Sequence, residues 1–479
     1  MQQTNTLSLD TLLLRRLLVA KSRSSTPRRR VLLSGGALLV LIIGGILAWL
    51  GIHGRFSTSS TPPSVSQQTV MFGNDAQHTH SISTEHQLTP RTVSHLVSSW
   101  TSFATGGSIF SSPVVADGMV YVGSLDGRLY VYSSSGCTQS PCPPLWTSIS
   151  TGARIFSSPA VSAGVVYIGS YDGKLYAFDA KGCGRAACSP LWTSLPLHSP
   201  LSSSPIIAQG HVYFGTDAGV LYSFQAAGCG AKVCSPLWTS TPLRTPCGHA
   251  NCPPVQPASD THDGFSSSPA FLHGTLYIGS FDGRLYAFDA AGCAVPPCAP
   301  RWYTTPTQDM ISASPAVAAN TVFISANDGK LYAFKATGCA HSPCPPLWSS
   351  PSTVVPLASS PAVVNKVVYV GSWDHKLYAF NADGCGASSC QPLWTSTPTA
   401  GIIESSPTLA GGVVYIGSVD ERLYAFNAAG CLTSPCSPLW TSPMLGGSIE
   451  SSAAVANGAV YVASLDHRLY SFHLPPASS

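Results

Sequence analysis

Charged residues are the scarcest class in this 479-residue sequence. Asp, Glu, Lys and Arg together make up 9% of it, and the formal net charge is only +3. Attraction to nucleic acid depends on a concentrated positive charge, which this composition does not supply. We therefore expect no nucleic-acid partner.

Several signatures of catalysis are also missing. The chain has no G-x-S-x-G elbow, no H-E-x-x-H zinc motif, no P-loop and no C-x-x-C-H haem attachment motif. Side chains suited to acid–base chemistry are few. These absences favour a binding or scaffolding role over catalysis.

The sequence is rich in turn formers and in a single repeat. It contains 43 Gly and 39 Pro, together with many Val, Ile, Tyr and Phe, a mixture typical of short strands joined by tight turns. Successive repeats lie 46 residues apart, except for one spacing of 64 that contains an 18-residue excess within an insertion at 241–264. The repeats begin at Met119, Val165, His211, Thr275, Thr321, Val367, Val413 and Ala459.

Each repeat predicts four short antiparallel strands. In the second repeat, Ser157–Ala163 follows the pattern of the first strand, and VVYIGS from Val165 alternates apolar residues as a second strand. Asp172-Gly173 then predicts a hairpin turn into KLYAFDA, because such a turn needs positive φ angles. PLWTS supplies the fourth strand. Four-stranded units repeated around an axis predict a β-propeller.

The tryptophans predict how the ring closes. Seven occupy fourth strands: Trp146, Trp192, Trp238, Trp302, Trp348, Trp394 and Trp440. The eighth repeat has three strands and no Trp, whereas Trp100 precedes the first repeat within SSWTS. We therefore predict an all-β, eight-bladed propeller whose last blade is completed by an N-terminal strand.

The N-terminal region predicts a membrane anchor. Basic residues end segment 1–30, and an uncharged apolar run follows from Val31 to Gly51, long enough at about 31 Å to cross a bilayer. The basic flank is expected to stay in the cytoplasm. We expect a cytoplasmic segment (1–30), a transmembrane signal-anchor helix (31–52), a Ser/Thr/Pro-rich tether (53–70) and a propeller (71–476) on the extracytoplasmic side of the cell membrane. A cleaved signal peptide is the alternative.

All sixteen cysteines fall into Cys-x4-Cys pairs. The even count, fixed spacing and extracytoplasmic address favour local disulfides. Zinc binding is the alternative, although the spacing is not C-x2-C and no histidine repeats with it. The pairs are Cys137/Cys142, Cys183/Cys188, Cys229/Cys234, Cys247/Cys252, Cys293/Cys298, Cys339/Cys344, Cys385/Cys390 and Cys431/Cys436.

LYAF-[DN]-A followed by PLWTS, repeated after SSP and VYIGS, resembles the PQQ-type (pyrroloquinoline-quinone) propeller repeat. MFGNDAQHTHSIS (Met71–Ser83) resembles the segment that opens such propellers, with His80 where glycine is usual. The resemblance covers about Met71 to Pro476, and a Cys-x4-Cys loop replaces the usual Thr-Gly turn in seven repeats. It implies the fold but no single function, because the family includes quinoprotein dehydrogenases, scaffold lipoproteins of outer-membrane assembly and sensor domains.

Three functions remain open at this point. The first is a non-catalytic binding or scaffolding propeller with no cofactor, tethered to the membrane and contacting a protein partner. The second is a quinoprotein oxidoreductase using PQQ with calcium. Catalytic relatives carry adjacent cysteines, which are absent here, and their calcium ligands cannot be matched to this sequence. The third is the ectodomain of a membrane sensor.

Candidate binding residues cluster on one face of the predicted ring, around the mouth of the central channel. The position before Ser-Ser-Pro becomes Glu404 and Glu450 in the last two blades, and two neighbouring carboxylates there could bind a cation or a basic partner group. Trp373 is an unusual turn residue and a possible recognition anchor. His262 and Asp263 lie in the one blade-specific insertion. Solvated loop residues are the alternative in each case.

An Asp in the second hairpin turn and a basic residue two positions later recur in seven blades. Blade three lacks both, having Ala218 and Val220 in their places. Joint loss indicates that the two charges serve each other. Turn formation and ion pairing are therefore the expected roles. The aspartates are Asp126, Asp172, Asp282, Asp328, Asp374, Asp420 and Asp466.

Overall fold

The computed structural model describes residues 70–243 and 264–475. The predicted cytoplasmic segment, the signal-anchor helix, the tether up to residue 69 and insertion residues 244–263 lie outside these ranges, as do His262, Asp263 and the Cys247/Cys252 pair. Within the described ranges, no helix has both the length and the apolar character needed to cross a bilayer. Membrane anchoring therefore stays a prediction.

Eight antiparallel sheets of four principal strands form the blades, which confirms the predicted propeller. Blades 1 to 4 are Val114–Ala116, Met119–Gly123, Leu129–Ser133, Trp146–Ser148; Ala160–Ser162, Val165–Ser170, Lys174–Asp179, Trp192–Ser194; Ile206–Ala208, His211–Gly215, Leu221–Gln225, Trp238–Thr239; and Ala270–Leu272, Thr275–Gly279, Leu285–Asp289, Trp302–Tyr303. Blades 5 to 7 are Ala316–Ala318, Thr321–Ser325, Leu331–Lys335, Trp348–Ser349; Ala362–Val364, Val367–Gly371, Leu377–Asn381, Trp394–Thr395; and Thr408–Ala410, Val413–Gly417, Leu423–Asn427, Trp440–Thr441. We call the four strands of each blade inner, second, third and outer, in chain order.

Blade 8 joins the two ends of the ring. Its first three strands are Ala454–Ala456, Ala459–Ala463 and Leu469–His473, and Val97–Thr101 pairs antiparallel with the third of these. Trp100 lies on this strand and is buried, like the outer-strand tryptophans of the first six blades. The predicted closure by an N-terminal strand is confirmed. A 3₁₀ turn, Val93–His95, precedes the closing strand.

The core lies between neighbouring blades. Trp192 of blade 2 contacts Tyr167 of its own blade and Phe224 of blade 3, with ring centroids 6.1 Å and 6.3 Å apart. Gly228 of blade 3 lies against the same indole with φ +80°, and a Cβ there would come within 2.8 Å of it. The close approach and the positive φ together require glycine at this point of the repeat.

The cystine loops hold blades to one another. Seven disulfides are present among the described residues, each closing the loop between third and outer strands, which confirms seven of the predicted pairs. Each loop also pairs in parallel with the outer strand of the preceding blade. In blade 2, Ile149 donates its amide to the carbonyl of Cys188 at 2.9 Å. We call these segments latch loops; two form short strands, Ala187–Cys188 and Val233–Cys234.

The two cysteines of each latch loop lie in different surroundings, which corrects the interpretation of all of them as equivalent loop residues. The first of each pair is exposed, whereas the second is buried between two blades. Cys298 and Cys390 are only 4% and 2% exposed, and they share hydrophobic clusters with Trp238 and Trp348 of the preceding blades. Because each loop pairs with the preceding outer strand, its second cysteine becomes part of the core. The buried members are Cys142, Cys188, Cys234, Cys298, Cys344, Cys390 and Cys436.

A closed ring of serines lines the channel. The amide of the second serine in Ser-Ser-Pro donates to the hydroxyl of the equivalent residue in the next blade at 2.8–3.2 Å, and the eighth bond, from Ser452 to Ser112, closes the circle. These serines are almost fully buried. The members are Ser112, Ser158, Ser204, Ser268, Ser314, Ser360, Ser406 and Ser452.

The N-terminal segment from residue 70 to 85 runs through the channel on the side opposite the predicted mouth. It starts with a two-way hydrogen bond between Val70 and Val161 of blade 2, then accepts amide bonds from the inner strands of blades 4 to 7 at 2.6–2.9 Å. Ser81–Ile82 pairs in parallel with the inner strand of blade 7. The buried Glu85 carboxylate then accepts the amide of Gly458 in blade 8 at 2.8 Å. The channel is therefore occupied at this end by the protein's own chain.

Replacing one serine of the ring should weaken the whole fold. In Ser158→Ala, the buried amide of Ser112 loses its acceptor, so we expect a loss of about 1–3 kcal/mol in the free energy of unfolding. Chemical denaturation measures this loss. The exposed Ser135→Ala is the control and should change little. Equal stability of the two variants would contradict a supporting role for the ring.

Candidate functional site

Eight equivalent residues surround the channel mouth, one directly before each Ser-Ser-Pro or its counterpart. All are partly exposed, whereas the serine ring just below them is buried. The ring is chemically uneven, since carboxylates, aromatic rings and small side chains occupy separate arcs. In blade order the residues are Phe110, Phe156, Ser202, Ser266, Ser312, Ala358, Glu404 and Glu450.

The structure brings Glu404 and Glu450 into contact. Their side chains share a hydrogen bond, and the pKa of Glu450 is raised to about 7, first by burial and then by the negative charge of Glu404. Two carboxylates that share a hydrogen bond hold one proton between them. Near neutral pH the pair can therefore exchange that proton for a cation.

Aromatic side chains form the next arc of the mouth. Phe110 follows Glu450 around the ring and lies 5.2 Å from Phe156, which lies 4.7 Å from Tyr171, all between ring centroids. The Tyr171 hydroxyl accepts a hydrogen bond from Ser202 at 3.1 Å. The mouth thus offers a negative charge beside an apolar aromatic surface.

The other predicted site residues do not join this group in the described structure. Trp373 is 36% exposed in the second hairpin turn of blade 6, and its amide donates to the Pro356 carbonyl at 3.2 Å. His262 and Asp263 lie outside the described residues. Their proposed roles in recognition therefore stay predictions.

The recurring aspartates have a structural partner that the sequence interpretation missed. In each of seven turns one carboxylate oxygen accepts the amide two residues on at 3.0–3.2 Å. The other accepts the hydroxyl of the tyrosine four residues on at 2.5–2.6 Å. Ion pairs with the basic residue occur at Asp172, Asp282 and Asp374, at 3.5–3.8 Å. The D-x-x-x-Y spacing was visible in the sequence.

Two buried histidines in the channel were not predicted as a feature. His78 and His80 both have φ +54° and lie on either side of Phe72, with the two imidazole centroids 6.4 Å apart. Burial lowers the pKa of His78 to about 4 and that of His80 to about 3. Both nitrogens of His78 and Nε2 of His80 lack a hydrogen-bond partner in the described protein. The rings are therefore neutral at physiological pH.

Comparison with known families follows from this architecture. A PQQ-repeat family model described as "Outer membrane protein assembly factor BamB" matches residues 138–231 and 231–474. The chain belongs to this family. No curated protein sequence matches it.

Solved structures show the same BamB-like fold. BamB from Moraxella catarrhalis is 17% identical with a TM-score of 0.57, covering 80% of this chain and 99% of its own. Quinohemoprotein alcohol dehydrogenase from Comamonas testosteroni is 14% identical with a TM-score of 0.62, covering 86% and 81%. A europium-containing methanol dehydrogenase is 13% identical with a TM-score of 0.63, covering 85% and 98%. At these identities the likeness concerns the fold.

The glutamate pair should make this BamB-family propeller less stable in alkali. The folded pKa of Glu450 lies above its ordinary value of 4.5, so the folded state favours the protonated form. Stability should be fullest below pH 4.5 and fall as pH rises through 7. Glu450→Gln should therefore raise the free energy of unfolding at pH 8 by about 1–2 kcal/mol and have little effect at pH 4.5. Denaturation at both pH values tests this; a pH-independent effect would contradict it.

The buried histidines should make the protein labile in acid. Their folded pKa values lie below the ordinary 6.5, so protons bind the unfolded chain preferentially and stability falls as pH drops from 6.5 towards 3. His80→Gly removes one buried imidazole and suits the positive φ. The loss of stability between pH 7 and pH 4 should be smaller in this variant. An unchanged pH profile would exclude this origin of acid lability.

Proposed function

We propose that this protein is a non-catalytic binding or scaffolding propeller, held at the extracytoplasmic side of the membrane by its N-terminal segment. Its channel mouth binds a basic group of a protein partner, such as a lysine or arginine side chain. The observation that carries the proposal is the contact between Glu404 and Glu450 at the mouth.

The chemistry of the mouth suits a cationic side chain with an apolar stem. A bound ammonium or guanidinium would replace the shared proton and neutralise both carboxylates, which lowers the cost of keeping them together. The methylene groups of such a side chain would lie against Phe110 and Phe156, which occupy the next positions of the ring. Cations also interact favourably with aromatic faces.

The opposite end of the channel supports a docking function. Residues 70–85 cross it through hydrogen bonds to inner strands, so the mouth is the accessible end of the channel. A shallow site with one open side suits a protruding side chain of a large partner. Binding residues presented by a rigid scaffold need little rearrangement on docking.

The residues at the mouth do not fit pyrroloquinoline quinone with calcium. The quinone is a polycarboxylate, and it would meet Glu404 and Glu450 rather than a cluster of basic groups. Calcium takes six to eight oxygen ligands, and within the described ranges no third carboxylate, histidine or cysteine joins this pair in a metal-binding group. The chain also has no adjacent cysteines. We derive no redox step for this site.

Binding of a basic probe tests the proposal. We expect Nα-acetyl-lysine amide to bind the full chain in detergent at pH 7.5, and to bind at least tenfold more weakly to the Glu404→Gln/Glu450→Gln double variant. Calorimetry with the Nε-acetylated form of the probe shows whether the charge is required. Glu421→Gln, a carboxylate in a hairpin turn of blade 7, is the matched control. Equal affinity of the double variant, or stoichiometric quinone in the purified protein, would refute the proposal.

A further inference from the structure

The latch loops leave one outer strand without a partner. Seven of the eight outer strands carry a latch loop from the next blade around the ring. Blade 7 is the exception, because no latch loop follows the third strand of blade 8 among the described residues. Its outer strand, Trp440–Thr441, therefore ends the sheet.

The backbone of Thr441 forms this open edge. The next residue, Ser442, donates its amide inward to Leu423 at 2.9 Å, so the amide and carbonyl of Thr441 point outward. In blade 6 the equivalent carbonyl, that of Thr395, accepts the amide of Cys436 at 2.8 Å. Neither group of Thr441 has a partner in the described protein. Unpaired strand edges are templates for the addition of a further strand.

The indole of Trp440 is covered, but the peptide edge is not. Its Nε1 donates to the carbonyl of Leu96 at 3.0 Å, in the segment that leads into the closing strand. Trp440 is nevertheless only partly buried, unlike the outer-strand tryptophans of the other blades. The missing latch thus leaves a local gap in an otherwise repeated surface.

The sequence contains one more Cys-x4-Cys segment than the latched edges require. Cys247 and Cys252 have the spacing of the seven latch loops, and Pro253-Pro254-Val255 follows them. The same Cys-Pro-Pro-aliphatic order follows two latch loops, at Cys142-Pro143-Pro144-Leu145 and Cys344-Pro345-Pro346-Leu347. This eighth segment lies in the insertion between blades 3 and 4, outside the described residues.

The eighth segment is too short to reach the open edge of its own chain. Blades 3 and 7 lie on opposite sides of an eight-bladed ring, so six inter-strand spacings of about 4.8 Å, or about 29 Å, separate their outer strands before the channel is added. The channel holds residues 70–85 and adds roughly another 10 Å. From Leu243, the last described residue before the insertion, nine residues reach Cys252 and span at most about 32 Å.

We propose that the Cys247–Cys252 segment of one copy docks as a latch on the open edge of blade 7 in a second copy. By analogy with blade 6, the amide of Cys252 donates to the carbonyl of Thr441. Because the edge and the segment lie on opposite sides of each copy, the contact is heterologous and joins copies head to tail. The inference is independent of the proposed function, because it involves no residue of the channel mouth.

Self-association of the full chain in detergent tests this inference by sedimentation velocity between 5 and 200 µM. The weight-average mass of the unmodified protein should rise with concentration. Thr441→Pro removes the outward amide and crowds the edge, and it should abolish the rise, as should Cys247→Ser/Cys252→Ser. Thr395→Pro, the same change on an edge that already carries a latch, is the matched control and should retain association.

Mixing the two defective variants separates loss of contact from misfolding. The Thr441→Pro copy keeps its segment and the Cys247→Ser/Cys252→Ser copy keeps its edge, so the mixture should form dimers and nothing larger. A wild-type protein that stays monomeric at 200 µM overturns the proposal. So do association that survives Thr441→Pro, association that survives loss of the two cysteines, and a mixture that stays monomeric. The Glu404→Gln/Glu450→Gln variant should associate normally.

Discussion

Each blade is joined to the next at the channel wall by a single hydrogen bond, from a backbone amide to a serine hydroxyl. The bond from Ser452 to Ser112 completes the circle, so the whole ring depends on blade 8 meeting blade 1. Correct closure fixes the angle between neighbouring blades, and this angle brings the indole of Trp192 against Phe224. It also brings Glu404 and Glu450, which belong to different blades, within hydrogen-bonding distance.

The latch loops repeat this arrangement at the outer rim. There, a disulfide holds each loop in the shape that pairs with the preceding blade, as Cys188 does beside Ile149. Inner and outer contacts thus connect the same neighbours at two radii, which resists both opening and twisting of the ring. Between blades 7 and 8 only the inner contact remains, and residues leading into the closing strand, including Leu96, contact Trp440 instead.

Periodicity explains what the sequence could predict. A Trp in each outer strand and Trp100 ahead of the first repeat were sufficient for the blade number and the closure. The facing of Glu404 and Glu450 followed from their equivalent positions in neighbouring repeats. The edge on which a latch loop pairs, and with it the burial of one cysteine in each loop, could not be predicted, because a local disulfide carries no information about its neighbour. The path of His78 and His80 through the channel belongs to a segment without repeats, so no pattern indicated it.

The route of the N-terminal segment has a mechanical consequence. A pulling force applied at Val70 acts first on its two hydrogen bonds with Val161, and then on the single bonds to blades 4 to 7, one after another. These bonds are loaded in sequence, like the teeth of a zip fastener, before tension reaches Val97–Thr101. That closing strand pairs along its length with Leu469–His473 and is loaded in shear. The channel segment therefore acts as an extensible buffer that yields in steps and shields the ring from rupture.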